Sequence, residues 1–403
     1  MNAIHRILKH LPLLLLACWP ATAAITIPGI TGTPAAGVDG ELNLVSDHRV
    51  IDLSESLPGT WDSIPRDGTK GVYDTNKWAV VFKYSSVNIS RNLELGFRNN
   101  SARAPVVWLV SGDVTITGTL NLNAAAYTAS ADYQEPGPGG FRGGTEIGVR
   151  SGGMGPGGGN RNSAGASHKR QDGIEAGPSY GDPEIRQLIG GSGSAANSSG
   201  RGGAGGGAIL IVATGKIVVN GNIFANGSTV SGVGGGSGGA VRLVASSIEG
   251  SGLIQTLGTG TSPGFVRTEA ETYGVSNPSV HPLDYSVATI TGPIAIWPED
   301  NAPTARIVSV SNLPVPADPK AALGLAPTDV NVPLNGSRQV RIETRNFPTS
   351  GTVTLFVTPV QGDRTALTAT MLPGGSNDLA TWEATLDSAL TGRAALQVRA
   401  AAE

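Results

Sequence analysis

The sequence is poor in the residues that most often carry catalysis, metal binding or nucleic-acid recognition. Among 403 residues there are one cysteine and five histidines, 5% are aromatic, 15% are charged, and the net charge is −3. Because thiolate and imidazole are the usual zinc ligands, this composition argues against a zinc site, and we expect no cofactor. A near-neutral chain also lacks the basic surface that nucleic acid requires, so we expect no nucleic-acid partner.

The first residues have the organisation of an export signal. Basic Arg6 and Lys9 precede the short apolar run Leu11–Ala17, and small residues follow at Ala21–Ala24. The pattern predicts a signal peptide over residues 1–24, because the apolar run is too short to span a membrane. In an alternative interpretation, Cys18 ends a lipoprotein processing box and carries a lipid anchor. Both predict an exported chain, secreted or associated with the cell surface or outer membrane, with no transmembrane span after processing.

A strand-like pattern recurs along the chain. Val106–Ala124 aligns without a gap with Ile209–Gly227 at an offset of 103 residues. A fainter copy, Val80–Gly96, aligns 27 residues before the first of these, a fourth lies at Val241–Gly258, and a truncated copy follows at Gly264–Ala270. The alignment predicts that equivalent aliphatic residues lie side by side. These are Val87, Val114 and Ile217; Ile89, Ile116 and Val219; Leu93, Leu120 and Ile223; and Leu95 with Leu122.

Aliphatic and polar residues alternate within each copy, as in a strand with one buried side. The polar side carries Thr115, Thr117, Asn121 and Asn123. Gly118, Gly221 and Gly252 recur at one position, which indicates a corner that needs positive φ or close backbone approach. Because one copy cannot bury its apolar side alone, stacked copies predict a single-stranded parallel β-helix, that is, a solenoid. An antiparallel sandwich of hairpins is the alternative, because Asn220-Gly221 is also a good hairpin turn.

Glycine is the one residue in marked excess, with 58 copies, and it is concentrated in an insertion at about residues 127–207. This insertion is either a flexible loop or a set of packed polyproline-II-like strands. Residues 25–285 are predicted to form an N-terminal cap and the β-helix that contains the insertion. Residues 286–303 are predicted to be a linker. The glycine-poor residues 304–403, with short alternating segments between turns, predict an immunoglobulin-like β-sandwich.

The ordered series VVWLVSGDVTITGTLNLNA, GGGAILIVATGKIVVNGNIFANG and GGSGGAVRLVASSIEGSG resembles a group of uncharacterised, glycine-rich exported bacterial proteins. The resemblance covers roughly residues 39–270. It implies a secreted or surface-exposed β-helical protein of bacterial type. It implies no reaction and supplies no catalytic residues.

Few residues are candidates for chemistry. Glu269 and Glu271 alternate on one predicted strand beside Arg267, and they are weak candidates for the paired carboxylates of a polysaccharide-active enzyme. An exposed, ion-paired strand is the alternative. Ser237 lies in a G-x-S-x-G match, but the strand that follows it does not suit a nucleophile elbow, which requires a helix. The G-x-G-x-x-G match at Gly200–Gly205 also leads into a strand, so it offers no helix N-terminus to a pyrophosphate.

Metal ligands are scattered. The histidines after the signal are widely separated, at His48, His168 and His281. Four acidic residues in the insertion lack the regular spacing of calcium-binding repeats, so solvated loop charges are the simpler interpretation and no metal site is predicted. These four are Asp172, Glu175, Asp182 and Glu184.

The insertion carries the most varied side chains of the chain, and loops on a rigid scaffold are common recognition sites. The candidate binding residues are Tyr133, Phe141, His168, Arg170 and Tyr180. The sequence therefore predicts a non-enzymatic exported or cell-surface protein with a structural or adhesive role. Its expected partner is an extracellular polysaccharide or another surface protein. A β-helical polysaccharide lyase or glycoside hydrolase is the alternative.

Overall fold

The computed structural model describes residues 38–62, 70–126, 133–145, 151–160, 166, 168, 177–197, 200–230, 234–258, 262–320, 328–333, 338–387, 390 and 392–402. These residues contain β-strands and one single-turn 3-10 helix, Leu53–Glu55, but no α-helix. The first strands are β1 (Glu41–Leu44), β2 (Arg49–Asp52), β3 (Leu57–Pro58), β4 (Val72–Asp74), β5 (Ala79–Tyr84), β6 (Ser86–Ile89), β7 (Glu94–Arg98), β8 (Val106–Val110), β9 (Val114–Ile116), β10 (Thr119–Asn121), β11 (Ala208–Ala213), β12 (Lys216–Val219), β13 (Asn222–Phe224), β14 (Ala240–Glu249), β15 (Leu253–Gln255), β16 (Phe265–Tyr273), β17 (Ser279–His281) and β18 (Ser286–Thr289). The others are β19 (Thr304–Val310), β20 (Leu313–Pro314), β21 (Gln339–Arg345), β22 (Thr352–Pro359), β23 (Thr365–Thr368), β24 (Thr370–Met371), β25 (Leu379–Thr385) and β26 (Ala394–Ala401).

Two large sheets share the main hydrophobic core. The six-stranded sheet has the order β17-β15-β13-β10-β7-β2, and all its pairs are parallel. The twelve-stranded sheet contains the path β1-β6-β9-β12-β14-β11-β8-β5-β4-β3, with β16 and β18 branching from β14. Alternate residues of both sheets point inward and form one buried cluster, in which Trp108 is completely buried.

The copies found in the sequence lie beside one another. Val114 pairs with Ile217, Ile116 with Val219, and Leu120 with Ile223, as the 103-residue offset predicts. Val87 pairs with Val114 and Ile89 with Ile116, which confirms the first half of the 27-residue offset.

The second half of that alignment is wrong. Leu120 pairs with Leu95 rather than with Leu93. The chain therefore uses two more residues to turn the corner between β6 and β7 than it uses between β9 and β10. The last copy is also longer than predicted, because β16 continues to Tyr273 and β17 extends the six-stranded sheet.

The predicted fold class is wrong. The sheets are open rather than closed into a solenoid, and the largest one mixes parallel pairs with the antiparallel pair β4–β5. After β10 the chain leaves the sheets and returns at β11 through glycine-rich backbone, in which the described residues form hydrogen bonds but no strand. In the region of the predicted immunoglobulin-like sandwich, a five-stranded antiparallel sheet, β20-β19-β21-β25-β24, and a three-stranded antiparallel sheet, β23-β22-β26, share a second buried core.

The recurring corner glycines are explained by close backbone approach and not by positive φ. A Cβ on Gly118 would lie 2.3 Å from the Ser90 carbonyl oxygen, and a Cβ on Gly221 would lie 2.0 Å from that of Gly118. A Cβ on Gly252 would in turn lie 2.1 Å from the Gly221 carbonyl oxygen. Each corner therefore stacks directly on the preceding one, and any side chain would separate them.

The glycine-rich insertion is packed as hydrogen-bonded backbone where it is described. Phe141 N donates to Gly191 O at 2.9 Å, Gly191 N donates to Gly206 O at 2.8 Å, and Gly206 N donates to Ser237 O at 3.0 Å. Four chain segments thus lie against one another, joined directly by backbone hydrogen bonds. The flexible-loop interpretation is wrong for these residues.

The C-terminal sheets contact this glycine-rich layer. Arg364 is buried with its guanidinium 4.4 Å from the Phe356 ring centroid, and Asn160 Nδ2 donates to Arg364 O at 2.9 Å. Gly155 N donates to Gln397 Oε1 at 3.1 Å. The glycine-rich layer therefore contacts the C-terminal sheets, and it also bonds to the six-stranded sheet at the end of β10, where Gly207 N donates to Leu122 O at 2.8 Å.

Candidate functional site

The outward side of the six-stranded sheet carries a regular array of amide side chains, which we call the amide face. One row crosses paired strands at Asn121, Phe224, Gln255 and His281. A parallel row runs through Glu94, Thr119 and Asn222. Asn123 and Asn226 extend the face beyond the ends of β10 and β13. The amide face thus comprises Glu94, Thr119, Asn121, Asn123, Asn222, Phe224, Asn226, Gln255 and His281.

Hydrogen bonds hold these amides in a ladder. Asn226 N donates to Asn123 Oδ1 at 2.7 Å, and Leu257 N donates to Asn226 Oδ1 at 2.7 Å. Asn226 Nδ2 donates to Gln255 Oε1 at 2.9 Å. Because each side chain is fixed by a neighbouring strand, the remaining donors and acceptors of the amide face are preorganised rather than mobile.

An open groove of about 570 Å³ lies at one end of the amide face. Asn121 and Asn123 form part of its floor, and Glu94 joins them because Asn121 Nδ2 donates to Glu94 Oε1 at 2.7 Å. Val50 and Phe97 add apolar surface to its lining, and Phe97 also packs against the core residue Trp108. A concave site with a few placed polar groups and apolar walls is the usual form of a small-ligand or polymer-binding site.

Charge is scarce on the amide face. Of the residues that define it, only Glu94 carries a carboxylate, and none is a lysine or an arginine. Beside the groove, exposed Arg98 is neutralised by Asp52, with Arg98 Nη1 3.0 Å from Asp52 Oδ2. The site therefore offers neutral hydrogen-bonding groups rather than a field for charged ligands.

The weak catalytic candidates are not placed as a pair. Glu269 is buried, with Oε1 2.7 Å from Arg242 Nε and 3.0 Å from Arg267 Nε. Burial opposes its ionisation, but the hydrogen bonds and charges of Arg267 and Arg242 outweigh burial and lower the pKa of Glu269. An ionised carboxylate held by two guanidinium groups is unsuited to general acid catalysis. Glu271 is only partly buried and lies at the corner between inward-facing Ala270 and Tyr273.

The ion cluster of Glu269, Arg242 and Arg267 is covered by a later segment of the chain, to which both arginines also donate hydrogen bonds. Arg242 Nη2 donates to Ala295 O at 3.0 Å, and Arg267 Nη1 donates to Ser286 Oγ at 2.8 Å. Both acceptors belong to residues 286–303, which the sequence predicts as a linker. Strand β18 in this segment pairs with β16, and Ile296 packs on the outer side of the twelve-stranded sheet. The carboxylate predicted to be exposed therefore lies beneath a covering segment.

The described candidate binding residues of the insertion pack against other side chains, and His168 is buried. Phe141 lies against Trp78, with ring centroids 6.1 Å apart, and the Tyr133 ring faces the Arg142 guanidinium at 4.3 Å. His168 and Tyr180 stack at 4.4 Å. Arg170 lies outside the described residues, as do Cys18, the signal segment, Asp172 and Glu175.

The His168 site is an enclosed hydrogen-bond cluster. His168 Nδ1 donates to Gly238 O at 2.9 Å, and Phe265 packs edge-on at 4.9 Å. Tyr180 Oη donates to Gly190 O at 2.6 Å and accepts from Ser192 Oγ at 2.9 Å. Burial raises the pKa of Tyr180 above its usual range and lowers the pKa of His168 to about 4. The stacked pair is therefore neutral at physiological pH and holds the glycine-rich layer together.

We expect this histidine to make the fold acid-sensitive. Its pKa falls from 6.5 to about 4 on folding, so the unfolded state binds more protons between these values. Stability should be complete above about pH 6.5 and decrease by about 3 kcal/mol as the pH falls to 4. Urea unfolding between pH 4 and 8 measures this slope. His168→Phe keeps a stacking ring and should flatten the curve. An unchanged slope in His168→Phe would contradict the assignment.

Other sequence candidates have structural roles. Ser237 is fully buried, and its Oγ accepts from Ser192 N at 2.8 Å, so it is no accessible nucleophile. His48 Nδ1 accepts from Glu94 N at 2.9 Å. Asp182 Oδ1 caps Glu184 N at 2.9 Å, and Glu184 pairs with Arg186. Among the described residues, no three acidic, histidine or cysteine side chains are grouped to hold a metal ion.

The amide face is the site that the sequence analysis missed. Its signal was present, because Asn121 and Asn123 fall on the polar side of the alternating pattern. Comparison of the chain with protein-family models, curated proteins and solved structures finds no match. The resemblance to exported glycine-rich bacterial proteins therefore stays a prediction. Within the described part of the chain, no helix is long and apolar enough to cross a membrane.

Proposed function

We propose that the chain is an exported, non-catalytic protein with a structural or adhesive role, which binds an extracellular polymer on its amide face. The observation that carries the proposal is the open groove continuous with this face. It combines preorganised amides, apolar surface and one carboxylate. Export rests on the signal predicted at residues 1–24.

The groove chemistry favours binding over turnover. Hydrolysis of a glycosidic bond normally uses two carboxyl groups that flank the bond. Glu94 is the only carboxylate among the described groove residues, and Asn121 occupies one of its oxygens. Glu269 is enclosed with its two arginines elsewhere. A rigid amide array with a single carboxylate fits recognition better than acid–base chemistry.

We expect the purified protein to bind at least one polymer from a panel of polysaccharides and bacterial cell-surface preparations without degrading it. Binding is measured by affinity electrophoresis, and turnover by release of reducing ends or unsaturated sugars. Asn121→Ala removes both a groove amide and the partner of Glu94, so it should weaken binding about 2- to 10-fold, as expected for one hydrogen bond.

Asn88→Ala provides a matched control. Asn88 is also an outward asparagine on a strand, but it lies on the twelve-stranded sheet, where its Nδ2 donates to Asn43 Oδ1 at 2.8 Å. Its removal should leave binding unchanged. Degradation of a bound polymer, or equal losses in both variants, would contradict the proposal.

A further inference from the structure

Resting on the proposed function, we infer that the ligand is an uncharged linear polysaccharide, which lies across the strands of the six-stranded sheet from the groove toward His281. The chemistry of the ligand follows from two features of the amide face, and its direction follows from a third.

The first feature is the pairing of donors and acceptors. An amide side chain presents both an N–H donor and a carbonyl acceptor, and a sugar hydroxyl group can likewise donate and accept. Asn123 accepts from Asn226 N through Oδ1, which directs its Nδ2 group away from that bond, and no described residue accepts from this nitrogen. Glu94 accepts from Asn121 through Oε1, and its Oε2 has no donor among the described residues. One donor and one acceptor therefore remain at the groove, fixed by their neighbours.

The second feature is the scarcity of cationic side chains. A polyanion such as a uronic-acid polymer needs lysine or arginine to offset its charge. The residues that define the amide face include neither, and the adjacent Arg98 is paired with Asp52 at 3.0 Å. Glu94 would repel a carboxylate or sulfate at close range. An uncharged polymer meets no such penalty, because its contacts on the face are with neutral amides, a hydroxyl or a single acceptor.

The third feature is the direction of the face. Asn121, Phe224, Gln255 and His281 are equivalent positions on successive strands, so they form a straight row perpendicular to the strands. With strands about 4.8 Å apart, the six-stranded sheet extends about 24 Å along this direction. Phe224 is the partly exposed aromatic ring of the row. It supplies an apolar surface on which the less polar side of a sugar ring can pack, next to amides that reach its hydroxyls.

The test uses the full-length processed protein, three neutral polysaccharides (laminarin, mannan and xyloglucan) and two anionic ones (alginate and polygalacturonate). Affinity electrophoresis at low and moderate salt identifies the bound polymers. We expect retardation by at least one neutral polymer, insensitive to salt, and none by the anionic ones. Calorimetry with neutral oligosaccharides of increasing length should show affinity that rises until the ligand spans about 24 Å and then levels off.

Two substitutions test the site. Phe224→Ala should reduce affinity for the neutral polymer at least about 5-fold, and Asn123→Ala about 2- to 10-fold. Asn88→Ala serves as the control, and thermal unfolding verifies that each variant folds. Both tested side chains point outward, so the fold should survive their loss.

The outcomes separate the inference from the proposed function. Binding of the anionic polymers on the same face would overturn the ligand class while leaving a polymer-binding role in place. Binding of a neutral polymer that neither substitution weakens would overturn the site. Affinity that does not depend on oligosaccharide length would overturn the direction. Absence of binding to every polymer tested would overturn the proposed function itself.

Discussion

Gly239→Ala should prevent the protein from reaching its native stability. A Cβ at Gly239 would lie 1.8 Å from the Gly207 carbonyl oxygen, far closer than nonbonded atoms approach. Gly207 and Gly239 directly precede β11 and β14, which pair from Ala208↔Ala240 onward. The clash is with backbone, and Ala240 N donates to that same Gly207 oxygen at 2.9 Å. Neither group can rotate away without breaking the strand register.

The expected loss exceeds that of ordinary overpacking. Extra methylene groups in a core usually cost about 1–3 kcal/mol, and a fixed carbonyl should push the loss above about 3 kcal/mol. In a protein of this size that corresponds to a fall in Tm of at least about 4 °C, or to insoluble protein. Thermal unfolding followed by circular dichroism measures the change.

Gly292→Ala is the matched control for this substitution. Gly292 is exposed, no described atom lies within 4 Å of the position that a Cβ would take there, and its φ is not positive. Because alanine restricts the unfolded chain more than glycine does, this variant should be as stable as wild type or slightly more stable. Equal melting temperatures for Gly239→Ala and wild type would contradict the close stacking of these layers.

This stacking explains why the sequence predicted the pairing better than the architecture. Alternation at Val114 and Ile116 specifies which side chains point inward, and the 103-residue offset specifies their neighbours. The route of the chain between β10 and β11 depends on backbone hydrogen bonds among glycines. Because glycine has no side chain, a glycine-rich segment shows no alternation of polar and apolar residues that would indicate which positions are buried. The composition of the insertion was therefore compatible with both a flexible loop and a packed backbone.

The candidate site could likewise be predicted from the sequence only in part. The polar position of Asn121 was visible in the alternating pattern, but its hydrogen bond to Glu94 depends on the two-residue shift at the corner before β7. That shift places Leu95, rather than Leu93, beside Leu120. His168 and Tyr180 were chosen from the sequence because they are chemically varied. The packing of His168 between Tyr180 and Phe265 is tertiary, and a single sequence does not encode it locally.

Glu269→Ala should cost about 3–5 kcal/mol of unfolding free energy, because it leaves two buried guanidinium groups without their carboxylate. The Glu269 side chain is 12% exposed, and those of Arg242 and Arg267 are 8% and 15% exposed. Water therefore cannot replace the lost partner without opening the cover formed by residues 286–303. Urea unfolding at pH 7 measures the loss. Glu271→Ala, two residues away and less buried, should change stability by less than about 0.5 kcal/mol.

The pH dependence of this cluster has a definite sign. The pKa of Glu269 is lower in the folded protein than its ordinary value of 4.5, so its stabilising effect is complete above about pH 4.5 and decreases as the pH falls through the folded pKa. Most of the stability change caused by His168 protonation occurs at higher pH than this range. In the His168→Phe variant, the slope that remains at low pH can therefore be measured without the His168 contribution. Glu269→Ala should lose this acid-dependent slope, whereas Glu271→Ala should retain it.

A triple variant separates the charge of the cluster from its volume. Glu269→Leu combined with Arg242→Met and Arg267→Met removes all three charges and keeps much of the buried apolar volume. Replacing a complete buried ion cluster with apolar side chains is often neutral, so this variant should recover most of the stability that Glu269→Ala loses. If Glu269→Ala were as stable as wild type, the carboxylate would have no structural role, and its assignment as a catalytic residue would have to be reopened. If the triple variant were less stable than Glu269→Ala, the hydrogen bonds from Arg242 to Ala295 and from Arg267 to Ser286, rather than the charges, would be what holds residues 286–303 against the sheet.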